Sequence, residues 1–154
     1  MEEKELKKEC LRLMENADAV YLNTISTDGF PHTRVMGNLR NNKQCRASTK
    51  LFAGHSEDFL IYMLTGHSSV KMQQIRANPK VSVYFCNPLE CHYLMLVGNA
   101  EEVADQDLKK QLWQDEWKMH WTGGPDDPEF ILLRLLPFLA KGWYKEGPFE
   151  FEIK

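Results

Sequence analysis

The sequence predicts a mainly β chain of the α+β class, an antiparallel barrel or sandwich with helices packed on its ends. Three observations carry this. Strand-like segments outnumber helical ones, in the order helix, two or three strands, helix, two strands, helix, two strands. The strands fall in hairpin-sized groups, and Thr27-Asp28-Gly29 between two of them supplies the positive φ that a tight hairpin needs. The 154 residues, 43% of them hydrophobic, can bury one core without disulfide staples, so a single domain over 1–154 is expected.

The elements follow in order. Residues 2–16 read as an amphipathic helix, with Leu6, Cys10, Leu13 and Met14 at helical spacing and Leu11 widening the stripe. Asn16 suits a C-terminal cap. Val20 to Ser26 and Phe30 to Leu39 flank the hairpin turn, and on the return strand Phe30, His32, Arg34 and Met36 share one face. Residues 40–56 read as an irregular loop with a short turn of helix. Phe59 to Leu64 is a strongly apolar strand that ends at Thr65-Gly66-His67-Ser68. Ser69 to Ala77 is a short helix stopped by Asn78-Pro79. Val81 to Cys86 and His92 to Val103 are strands, with Gly98 as a bulge or close approach. Asp105 caps a helix running to about Trp117. Phe130 to Leu136 is apolar throughout, as a strand buried on both faces would be. Pro137 interrupts it, and Phe138 to Tyr144 forms the last strand.

Several function classes are disfavoured. A net charge of −3 argues against a nucleic-acid binder, which would carry a basic stripe. No apolar run reaches the roughly 18 residues of a membrane span. The charged start MEEKELKKEC is unlike a secretory signal, so a cytoplasmic location is expected. Cys10, Cys45, Cys86 and Cys91 match no zinc module and read as reduced thiols. No histidine pair has metal spacing, so no metal is expected. No G-x-S-x-G or Cys/His arrangement offers a nucleophile, and no catalytic residue can be named.

The chemistry-bearing feature is Arg34 together with Ser68-Ser69-x-Lys71. A helix N-terminus presents free N–H groups and partial positive charge; serine hydroxyls and a lysine there build a phosphate site, and an arginine on a neighbouring strand adds a planar fork. On spacing alone, a plain serine cap followed by a solvated lysine explains the same residues and is the better account.

Three stretches shift that balance: DGFPHTRVM at 28–36, the unit Thr65-x5-Lys71 continuing into SSVKMQQIRANPKVSVYF, and the ending WKMHWTGGPDDPEFILLRLLPFLAKGWY. In this order they resemble the pyridoxamine 5′-phosphate oxidase-like family, general stress protein 26 type, over roughly residues 5–145. The resemblance implies a six-stranded antiparallel split β-barrel of Greek-key type with peripheral helices. It also implies a homodimer with flavin mononucleotide (FMN) at its interface. By resemblance Arg34 and Lys71 grip the FMN phosphate and Ser69 and Thr65 add hydroxyl donors. Leu64, Val35 and Met36 lie along the flavin, and Trp143 reaches it from the partner subunit. Trp143 reads equally well as a core or interface aromatic.

The departures qualify the activity. Pyridoxamine phosphate oxidase itself follows this tryptophan with an Arg-x-His pair that holds its substrate. Here the chain continues Tyr144-Lys145-Glu146-Gly147-Pro148-Phe149, so that oxidase activity is not expected. The glutamine that contacts the oxidase flavin corresponds to Tyr93. An FMN-dependent oxidoreductase of unknown substrate, a non-catalytic flavin-binding stress or redox protein, and a split barrel holding haem, a deazaflavin or pyridoxal phosphate all remain open.

Overall fold

A computed structural model describes residues 1–154. Helix α1 spans Glu3–Asn16 and buries Cys10, Leu11, Leu13 and Met14. The chain then forms β1 (Val20–Ile25) and β2 (Pro31–Met36), the short helix α2 (Ser48–Leu51), β3 (Ile61–Gly66) and helix α3 (Val70–Ala77). Strands β4 (Lys80–Asn87) and β5 (His92–Val103), helix α4 (Gln106–Leu112), and strands β6 (Phe130–Tyr144) and β7 (Gly147–Glu152) complete it. Every pairing is antiparallel. Six strands run in the order β2-β1-β4-β5-β6-β3, curled into a half-barrel, and β7 pairs with β6 beside them. The fold class expected from the sequence is the one observed.

The β1–β2 turn shows how local chemistry sets the register. Gly29 takes φ 85°, Asp28 accepts from the Phe30 N–H and the Ser26 hydroxyl, and Val20 pairs with Met36 at the far end. The long β5–β6 pair carries the predicted bulge: its register shifts between Val97 and Gly98, opposite Pro137. Pro137 has no N–H to give the ladder, and the shift lets β6 run through it as one strand rather than two.

Two apolar clusters explain why β3 and the first half of β6 are apolar on both faces. The larger fills the barrel with Leu22, Met63, Val83, Phe85, Leu94 and Leu133 under α1. The smaller gathers Leu60, Tyr62, Phe130 and Leu132 beneath the 39–52 segment and α4. The 40–56 segment is more ordered than its polar composition suggests. Arg40 is buried, donates from Nε to Leu60 O and from Nη2 to Asp58 O (both 2.9 Å), and lies 4.4 Å over the Phe52 ring. Asn41 donates from Nδ2 to Ala17 O at 3.2 Å, and the preceding Asn38 donates to Met14 O and Ala17 O, tying this segment to the end of α1.

Three expectations are corrected. The Asp105 helix, capped as foreseen by a bond from the Leu108 N–H, ends at Leu112 instead of Trp117. There the buried Gln114 amide pairs with the 44–46 backbone, which pulls the chain out of the helix, and Asp115–Met119 is a 3-10 turn. Asn16 is not the C-terminal cap, since Ala17 takes that position and Asn16 Nδ2 donates back to Arg12 O. Strand β7 was not foreseen; it turns back at Lys145, whose φ is 57°.

Candidate functional site

Strands β2 and β3 stand at opposite edges of the curled sheet, and the residues of interest meet where those edges approach each other. Helix α3 fills this seam. Its first turn is set by Ser69, which caps it by accepting from the Met72 N–H, and its inner face buries Met72, Gln74 and Ile75. The helix links the two edges, since Ser69 Oγ lies 3.2 Å from Thr65 Oγ1 of β3 while Gln74 binds β2, its Oε1 accepting from Arg34 Nη2 at 3.1 Å and its Nε2 contacting His32 Nδ1 at 3.3 Å.

Arg34 is held by neutral acceptors alone. Nη1 donates to Thr24 Oγ1 at 2.7 Å, His32 O at 3.1 Å and Leu22 O at 3.3 Å. Its Nε–H makes no bond within the chain, so one edge of the guanidinium fork remains open. Lys71 pairs with no carboxylate. Its ammonium is held below the usual lysine range, first by burial and then by the charge of Arg34. Burial likewise lowers Arg34, and no acidic group opposes this. Two partly buried like charges, close enough to disfavour one another, thus stand without a counter-charge from the chain.

The hydroxyls complete the donor set. Thr65 Oγ1, buried at the end of β3, lies 3.2 Å from Ser69 Oγ. Ser68 is used otherwise: its N–H and Oγ both donate to Glu129, just before β6. These bonds hold the Glu129 carboxyl below its ordinary range and clamp the 66–69 loop. His67 is clamped too, receiving Arg76 Nη1 at its carbonyl and Nη2 at its ring.

The structure therefore brings Arg34, Thr65, Ser69 and Lys71 together, with Leu64, Val35 and Met36 next to them in sequence. Met36 is buried and Val35 is exposed on the edge strand. Trp143 does not join them. It lies twelve residues beyond Ile131, the β6 partner of Thr65, which is roughly 40 Å of extended strand. There it pairs across the ladder with Tyr93, donates from Nε1 to Lys145 O at 2.7 Å, and is partly exposed. Sequence reasoning missed Thr24 and Gln74, which position Arg34. A polar residue on the apolar face of a short helix was the available signal for Gln74.

A six-stranded antiparallel sheet curled into a half-barrel, with helices at its margins, is a split barrel of the α+β class. The chain belongs to the pyridoxamine 5′-phosphate oxidase-like family, whose model matches residues 7–154. Among solved structures it is similar to a Clostridium acetobutylicum protein related to general stress protein 26 of Bacillus subtilis, with a TM-score of 0.77 and 23% identity over 99% of this chain and 97% of that one. General stress protein 26 of Bacillus anthracis str. Sterne is similar at TM-score 0.71 and 24% identity, covering 96% and 98%. A general stress FMN/FAD binding protein of Xanthomonas citri is similar at TM-score 0.70 and 21% identity, covering 98% and 96%. No curated protein sequence matches the chain.

No helix is long and apolar enough to cross a membrane.

Proposed function

We propose that this chain binds FMN as a homodimer and serves as a flavin-dependent oxidoreductase. The observation that carries the reading is the pair formed by Arg34 on β2 and Lys71 in the first turn of the capped helix α3, two partly buried cations without a carboxylate partner. A phosphate dianion answers that deficit: the open edge of Arg34 and the Lys71 ammonium supply charge-assisted bonds, and Thr65 and Ser69 supply hydroxyls. Membership of the family, and similarity to a protein that binds FMN or FAD, support a flavin as the group attached to that phosphate. When bound, the flavin supplies hydride or electron transfer at its ring, while this chain's residues anchor and orient it.

Purified protein is expected to bind FMN in preference to riboflavin. Charge-assisted hydrogen bonds contribute about 1.5–3 kcal/mol each, so Lys71→Ala should weaken FMN tenfold or more and leave riboflavin nearly unchanged. Fluorescence titration decides; equal affinity for the two flavins in the wild-type chain would remove the phosphate site.

A second reading, a flavin binder without turnover, is favoured by the chain beyond Trp143. It turns at Lys145 and pairs back on β6 as β7, in place of the Arg-x-His substrate anchor. Oxidation of pyridoxamine 5′-phosphate is accordingly expected to stay at the background of an assay without enzyme. Pyridoxal phosphate release at the rate of a true oxidase would contradict this. Reduced nicotinamide with a dye acceptor separates the two readings, since only the first expects turnover.

A further inference from the structure

At the Leu64 end of the phosphate seam lies a half-open cavity of about 240 Å³. One of its lining residues, Leu64, is itself a candidate flavin residue, and another, Gly37, follows Met36 in sequence. Its outer walls are Trp117 and Trp121, with His120 between them. These walls are preorganised. Trp121 and Trp117 pack on the fully buried Phe130 ring at 4.9 and 6.4 Å, and Trp113 packs on it edge-on at 5.2 Å.

The lining defines what fits. No Lys, Arg, Asp or Glu contributes to it, so a charged ligand would lose hydration without gaining an ion pair. The Gln44 amide is already committed, donating to Asp18 O and accepting from the Asn38 N–H, and the Trp121 indole donates to Glu129 O. The Trp117 indole N–H and the His120 ring make no hydrogen bond within the chain and remain available to an acceptor. An apolar cavity of about 150 Å³ holds benzene, so the space here suits one ring or two fused rings. Flat walls of tryptophan favour a flat ligand.

We infer that this cavity is a subsite for a neutral, planar aromatic carbonyl compound of one or two rings, the quinone class among them, bound beside the flavin. The inference deepens the flavin reading and rests on it for the identity of the neighbouring group. It concerns binding alone.

The test is calorimetric titration of the full chain with chromone and with chromone-2-carboxylate, both without FMN and saturated with it. Chromone should bind saturably at one per chain under both conditions, with the carboxylate at least tenfold weaker. A Cβ at Gly37 would meet only Gln44 Oε1, at 3.9 Å, so Gly37→Leu fills the cavity with little backbone conflict. It should weaken chromone at least tenfold at unchanged melting temperature. Should that variant melt early, Trp117→Phe decides, because it keeps an aromatic ring against Phe130 and removes the free N–H; threefold or greater weakening is expected. Absence of saturable binding, wild-type affinity in the variants, or one-for-one displacement of chromone by FMN overturns the inference, the last by giving the cavity to the flavin itself. If FMN fails to bind while chromone behaves as described, the flavin reading falls and the aromatic subsite stands.

Discussion

Replacing Gly142 with alanine is expected to remove most or all of the chain's stability. Gly142 lies on β6 opposite Leu94, and a Cβ there would sit 1.9 Å from the Tyr93 carbonyl oxygen and 2.8 Å from Phe149 Cζ. The phenyl ring can swing aside. The carbonyl cannot, because it belongs to the β5 backbone, which at Tyr93 is paired on both sides, with Cys86 of β4 and Trp143 of β6. Relief therefore requires the two strands to separate around Tyr93 and Trp143, which breaks ladder bonds and opens the barrel next to Leu94 and Ala140, both fully buried. Single substitutions that force such a rearrangement exceed about 4 kcal/mol, against a total of roughly 5–15 kcal/mol for an ordinary domain. Urea denaturation followed by circular dichroism should show a strongly lowered midpoint or no folded baseline. Gly147→Ala is the matched control. Nothing lies within 4 Å of a Cβ at Gly147, and its midpoint should stay near that of the wild type. A normal midpoint for Gly142→Ala would mean that β5 and β6 do not approach this closely.

Local chemistry made much of the fold legible in the sequence. Asp28-Gly29 announced its hairpin, Ser69 and Asp105 announced their helices, and Gly98 announced the bulge, because each acts within a few residues of itself. Elements decided by distant partners were hidden. Strand β7 follows a Lys145-Glu146 turn that carries no Asn-Gly or Asp-Gly signal, and its pairing with β6 supplies its reason to be extended. The early end of α4 depends on Gln114 reaching the 44–46 backbone, some seventy residues back along the chain. The site divides in the same way. Arg34, Thr65, Ser69 and Lys71 were readable as residue types in order, but their meeting depends on the curl that brings β2 and β3 together. The Thr24 and Gln74 bonds that fix Arg34 exist only in three dimensions. The apolar excess of residues 59–64 and 130–139 is mostly consumed within the chain by the two clusters. What remains uncovered is narrower.

That remainder gives the second large expected effect: the double variant Leu136→Asp/Phe138→Asp should be monomeric and should lose FMN. Leu136 and Phe138 are 60% and 56% exposed, two residues apart on β6 and so on one face of the strand. Single exposed apolar residues are ordinary, but two large ones adjacent on a strand face form a patch that favours burial against a partner. A symmetric pair of chains would use the same patch twice, so two aspartates per chain place four carboxylates in one interface. Because the side chains are exposed in the single chain, the substitutions should leave its fold intact, as far-UV circular dichroism can verify. The coupling to FMN rests on Trp143. Within one chain it is separated from the Arg34 and Lys71 seam by the length of β6, so a flavin held at that seam can meet this tryptophan only from a second chain. FMN should then favour the dimer by mass action, and Trp143→Ala should weaken FMN while leaving the dimer in place. Sedimentation velocity at micromolar protein, with and without FMN, reads both effects. A wild-type monomer that binds FMN at one per chain would show that the site is complete in a single subunit, and a double variant that remains dimeric would place the interface elsewhere on the barrel.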